Sequence, residues 1–173
     1  FLTTAMKSVG ETMAIGRTFK EAFQKSMRSL EIGITGFGAD PKFNLEDTDQ
    51  RDLENKMRSP SSQRIFQLYE ALRRDMPIED IYQVTAIDPW YLHNLKQIVD
   101  LEAEIKTRDF SDLDRDFLYH TKQYGFSDRQ LAYLTRTSEN DIHELRDKLK
   151  IKAVYKLVDT CAAEFEAYTP YYY

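Results

Sequence analysis

The stretch that most constrains the fold runs from Ile87 to Glu102. Its start is unambiguous. Asp88 can cap the first turn, and Pro89, whose missing N–H would have no partner there anyway, suits the first helical position. At about 100° per residue, Leu92, Leu95 and Val99 share one face, Tyr91 and Ile98 extend it, and Leu101, Ile105 and Trp90 reach the opposite side. Lys96, Asp100, His93, Glu104 and Gln97 are left for solvent. A surface helix buries only a stripe, so an apolar arc of about half the circumference, interrupted at Asn94 and Glu102, requires packing on two sides or at a subunit interface. This is the expected central helix, with Trp90 expected in the core, an interface anchor being the alternative.

The chain around it reads as further helices. Thr18 caps one, with Glu21 three residues on completing a capping box and Phe19, Ala22, Phe23, Met27 and Leu30 as the apolar stripe; Gly33 is expected to end it. Residues 33 to 46, rich in glycine, read as a loop or domain junction. A short polar helix is expected from Asp47 to Met57, and a stronger one on Ile65, Phe66, Leu68, Tyr69 and Leu72, stopped by Asp75-Met76-Pro77. The chain then repeats itself at an offset of 50 residues: Ile81, Val84, Thr85, Leu92 and Leu95 match Leu131, Leu134, Thr135, Ile142 and Leu145, and Leu68 and Tyr69 match Leu118 and Tyr119. The caps Asp88 and Ser138 also align. The expected fold is mainly all-α, a bundle of two pseudo-repeated helical units. Short extended segments flank it, at residues 3 to 16 and in a tail that ends Thr169-Pro170-Tyr171-Tyr172-Tyr173.

With 173 residues, 42% of them hydrophobic, the chain can bury one sizeable core. Its 24 basic and 29 acidic residues are interspersed and leave a net charge of −5, which provides no electrostatic footprint for nucleic acid or an anionic membrane. The single cysteine, Cys161, rules out an internal disulfide framework and fits a reducing, cytoplasmic compartment. No apolar run reaches the roughly 18 residues of a membrane span. A start at Phe1 reads as an excised piece of something longer.

No residues are expected to form a catalytic, cofactor-binding or metal site. Lys7 and Glu11 lie four apart, but in a glycine-broken context that favours a structural role. Gly33, Gly36 and Gly38 follow the order G-x-x-G-x-G rather than a phosphate-binding fingerprint. His93, His120, His143 and Cys161 have no structural-zinc spacing. Cys161 sits in an acidic stretch without a neighbouring base and is read as a packing residue. Tyr171 to Tyr173 are read as packing on a following domain. Ser127 to Leu149 resembles a helix-turn-helix, yet Glu139, Asp141 and Glu144 in the second helix would repel phosphate, which disfavours a nucleic-acid partner. A free-standing helical adaptor is the other alternative.

Met6-Lys7-Ser8-Val9-Gly10-Glu11, with Met13-Ala14-Ile15-Gly16-Arg17, resembles a motif near the end of the first ATP-grasp unit in the large chain of glutamine-hydrolysing carbamoyl-phosphate synthase. Arg64-Ile65-Phe66, Ala71-Leu72-Arg73, Ile87-Asp88 with Trp90, and Ile98 to Glu102 resemble the helical oligomerisation domain that follows. Val154-Tyr155-Lys156 and Val158 to Phe165 resemble the connection into the second ATP-grasp unit. The resemblance implies a division into 1–40, 41–152 and 153–173, from first ATP-grasp unit through oligomerisation domain to second. It implies a parent ligase that uses ATP and magnesium to make carbamoyl phosphate from bicarbonate and glutamine-derived ammonia, in pyrimidine and arginine biosynthesis. The implied partners are the remaining ATP-grasp and allosteric domains, a small glutaminase chain and further copies of the same chain. The fragment itself is expected to be inactive.

Overall fold

A computed structural model describes residues 11–43, 45 and 48–173. Among the described residues it contains eight α-helices: α1 (Phe19–Ser29), α2 (Gln50–Arg58), α3 (Arg64–Arg73), α4 (Ile78–Thr85), α5 (Pro89–Lys106), α6 (Arg115–Gln123), α7 (Asp128–Thr135) and α8 (Glu139–Lys148). Short 3₁₀ turns occupy Pro41–Phe43 and Phe110–Asp112. Residues 11 to 16 form no regular element, and the tail after α8 holds one antiparallel bridge, Leu157 to Tyr172. The all-α bundle expected from the periodicity is the observed fold. Lys7 and Asp47 lie outside the described residues.

α5 is the central helix, and α1, α3, α4 and α7 all pack against it. Asp88 caps it by accepting the Trp90 N–H at 2.8 Å, with Pro89 at its first position. Its arc buries Leu92, Leu95, Ile98, Val99, Leu101 and Ile105. Each such side chain is worth about 1.5–3 kcal/mol relative to exposure.

The 50-residue repeat is a structural one. α4 and α7 begin and end at matching positions, as do the starts of α5 and α8 and the ends of α3 and α6. The left-handed residues correspond as well: Asp75 with Gly125 after α3 and α6, and Ala86 with Arg136 after α4 and α7. In each unit a buried threonine closes the short helix on itself, Thr85 Oγ1 donating to Ile81 O at 2.7 Å and Thr135 Oγ1 to Leu131 O at 2.8 Å. The units differ in length because α5 continues to Lys106, whereas α8 stops at Lys148.

Several boundaries depart from expectation. α1 stops at Ser29, before Gly33, because Glu31 already takes a left-handed turn with φ 55°. Thr18 does accept the Glu21 N–H, but the Glu21 carboxylate reaches back to the Arg17 N–H at 2.9 Å rather than to Thr18. α2 begins at Gln50, where Asp49 supplies the cap. The glycine-rich loop after α1 is not peripheral: Ile34, Phe37, Ala39 and Phe43 are all buried. Phe37 packs on Phe43 and Tyr69 with ring centroids 5.7 and 5.4 Å away, and Phe43 packs on Phe66 at 4.6 Å.

Candidate interaction surface

Two polar clusters hold the glycine loop in the core. Phe37 N–H donates to Gln24 Oε1 at 2.6 Å, and Gln130 Nε2 donates to both Gln24 Oε1 and Phe37 O at 3.4 Å. The same Gln130 completes the capping box of α7, accepting the Ser127 N–H at 3.0 Å. Its amide lies so close to Gly36 that a Cβ there would come within 2.4 Å. On the far side of the loop Tyr69 Oη donates to Glu102 Oε1 at 2.6 Å. Glu102 Oε2 has no hydrogen-bond partner and would meet a Cβ on Gly38 at 1.9 Å.

Glu102 is only 8% exposed. Burial lifts its carboxyl above the usual range, partly offset by the Tyr69 hydroxyl, the Ala39 amide and the charges of Lys106 and Arg73. Burial and the neighbouring Glu102 likewise push the Tyr69 phenol up. The pair borders a cleft of about 450 Å³ whose wall includes Asp40, Arg73, Lys106 and Arg136. The shape resembles a ligand pocket, but Glu102 Oε2 is shielded from solvent and turned against Gly38. The carboxylate therefore clamps the loop rather than offering a base to a substrate.

The residues weighed from sequence do not converge. His93, His120 and His143 are exposed on α5, α6 and α8. His120 packs on Tyr124 with ring centroids 4.6 Å apart, and His143 Nδ1 lies 3.0 Å from Arg146 Nη2. Cys161 is half-buried in the tail, its N–H donating to Asp159 at 2.9 Å. Among the described residues, no three His, Cys, Asp or Glu side chains gather as a metal site would require. Glu11 is exposed, and Gly33, Gly36 and Gly38 all take positive φ inside the core-forming loop. The α7–α8 pair does have a helix-turn-helix outline, pivoting at Arg136, but the first turn of α8 exposes Glu139 and Asp141, and Asp141 is engaged with Ser138 and Thr137.

Trp90 corrects the expectation of a core residue. It is 55% exposed and Tyr91 is 46% exposed, although the helix they begin is central. Both lie edge-on to Phe19 of α1, with centroids 5.4 and 5.3 Å away, and to each other at 5.0 Å. Phe19 covers one side of the first turn of α5, and full burial of its arc begins at Leu92. Near this patch the Arg17 guanidinium sits 5.9 Å over the ring of Tyr173, which brings the start of α1 and the end of the tail together. The hint in the sequence is two large aromatics in the first turn of the central helix.

The model of the carbamoyl-phosphate synthetase large chain, oligomerisation domain, matches residues 11–150. The chain belongs to that family. The large chain of carbamoyl phosphate synthase from Synechocystis sp. is 50% identical over 172 residues, covering 99% of this chain and 16% of the relative. An Archaeoglobus fulgidus large chain is 43% identical over 176 residues, at 99% and 16% coverage. The arginine-specific, chloroplastic large chain of Arabidopsis thaliana is 46% identical over 172 residues, at 99% and 14%. The chain thus spans about a sixth of the length of these relatives. Within the carbamoyl-phosphate synthetase oligomerisation domain the match covers α1 to α8, so the glycine loop and its Gln24 and Glu102 clamps lie inside the matched region.

Proposed function

We propose that this chain is the central, non-catalytic part of a carbamoyl-phosphate synthase large chain, and that it joins the two ATP-grasp units and contributes to self-association. The family match over residues 11–150 carries the reading. Residues 1–40 are assigned to the end of the first unit, 41–152 to the oligomerisation domain and 153–173 to the connection into the second. Because Phe37 is buried against Phe43 and Tyr69, the first of these divisions passes through packed side chains rather than a slack linker. Such a junction suits a part that fixes the relative placement of its neighbours.

ATP and magnesium serve the parent ligase in its ATP-grasp units. The parent's partners are the small glutaminase chain, the allosteric domain and further copies of itself, and its compartment is the cytoplasm or, as the Arabidopsis name indicates for that relative, a plastid.

The reading is tested by supplying bicarbonate, glutamine and MgATP to the longer polypeptide that carries this chain, together with its glutaminase partner, and to this chain alone. Carbamoyl phosphate from the first and no ATP turnover from the second is the expected pattern. ATP turnover by this chain alone would overturn it.

A further inference from the structure

The aromatic patch at the start of α5 lies apart from the loop clamps and the cleft. Trp90 and Tyr91 are exposed, Phe19 bridges them to α1, and Asp88 and Pro89 fix the backbone beneath them, so the rings are held in place rather than free to fold away. Rigid, amphipathic aromatics lose little entropy on being covered, and for that reason they anchor interfaces.

What covers them is set by where the chain goes. Arg17, two residues before Phe19, stacks over Tyr173, so the last residue lies beside the patch. Tyr173 is held there by paired backbone hydrogen bonds with Lys156, at 3.1 Å in each direction. The tail that ends at this point exposes Tyr155, Phe165, Tyr168, Tyr171 and Tyr172. A segment of this kind makes up only 14–16% of the length of such relatives. A unit tethered directly after Tyr173 would face the patch at an effective concentration of about millimolar, well above any second copy at micromolar concentration.

We infer that the Trp90–Tyr91–Phe19 patch is the docking face for the folded unit that follows Tyr173 in the longer polypeptide, and not the contact between copies. This rests on the reading above, since it requires a following unit. One body then covers both the patch and the exposed tyrosines of the tail, which fixes the bundle against its downstream neighbour.

The test places p-benzoyl-L-phenylalanine at Trp90, and separately at Tyr91, in the longer polypeptide, with photolysis followed by peptide mapping. Cross-links from both positions to residues after Tyr173 of the same molecule are expected. A cross-linked dimer on a denaturing gel, links to residues before Glu11, or no link from either position would each overturn the inference. The same preparation is assayed for carbamoyl phosphate. Lack of that product would sink the family function while leaving the cross-link map to be judged separately.

Discussion

Tyr69 and Glu102, thirty-three residues apart in the chain, are joined by a buried hydrogen bond of 2.6 Å that ties α3 to α5. The second carboxyl oxygen lies against Gly38, so one buried carboxyl secures two helices and the loop between α1 and α2. A carboxyl whose folded pKa is raised opposes folding at high pH, and that opposition fades as pH falls through the folded value towards the unfolded one near about 4.3. Glu102→Gln should therefore flatten a loss of stability with rising pH. Urea midpoints of both proteins between pH 5 and 8 check this; parallel curves would contradict it. Tyr69→Phe should cost about 1–3 kcal/mol by removing the hydroxyl that donates to the buried Glu102 Oε1.

Gly38 and Gly33 have nearly the same φ, +74° and +76°, but different surroundings. A methyl group on Gly38 would meet Glu102 Oε2 at 1.9 Å and Tyr69 Cε2 at 2.6 Å, whereas one on Gly33 meets only the flexible end of Lys42 at 3.1 Å. Gly33→Ala should cost about 1–2 kcal/mol, the left-handed penalty alone. Gly38→Ala should add about 1–3 kcal/mol of overpacking to that. Thermal or urea unfolding of the two variants gives the comparison.

The repeat predicts equivalent positions but not equal energies. Leu95 is buried in α5, against which α1 and α3 pack, while its counterpart Leu145 in α8 is only partly buried. Leu95→Ala should cost about 2–5 kcal/mol. Leu145→Ala should cost distinctly less, and equal costs in chemical denaturation would count against the packing described.

Asp128 joins α6, α7 and α8 by accepting from Lys122 Nζ and Arg146 Nε, both at 2.9 Å. Burial works to raise its carboxyl, yet the two cations hold it below the usual range. The stability it provides is present above the unfolded value, near about 3.9, and is lost as pH falls through the folded one. Asp128→Asn should destabilise at pH 7 by about 1.5–3 kcal/mol, the worth of a hydrogen bond to a charged group, and the difference from wild type should shrink in strong acid.

Helix positions, the caps at Thr18, Asp88 and Ser138, and the 50-residue repeat were legible because each is local: a cap, a period, a spacing. What was not legible depends on tertiary packing. Glu102 reads as an interruption of an apolar arc until Tyr69 is brought to it from α3. Gln24 and Gln130 look like ordinary polar surface residues until Phe37 enters between them. Trp90 reads as core because helical periodicity places it on the arc but does not show where the neighbouring helices end. The loop from residue 33 to 43 looked like a junction because glycine signals conformational freedom, and here that freedom is used to fit the backbone against Gln130 and Glu102.

The proposed role of this chain is that of a structural unit of association, and the most direct test of it is the chain's absolute mass. Light scattering after gel filtration, from micromolar concentrations upward, should give a dimer or larger species of fixed stoichiometry. The same mass should be found for Trp90→Ser combined with Tyr91→Ser, since that patch is assigned to the following unit. A monomer at every concentration would contradict the association role.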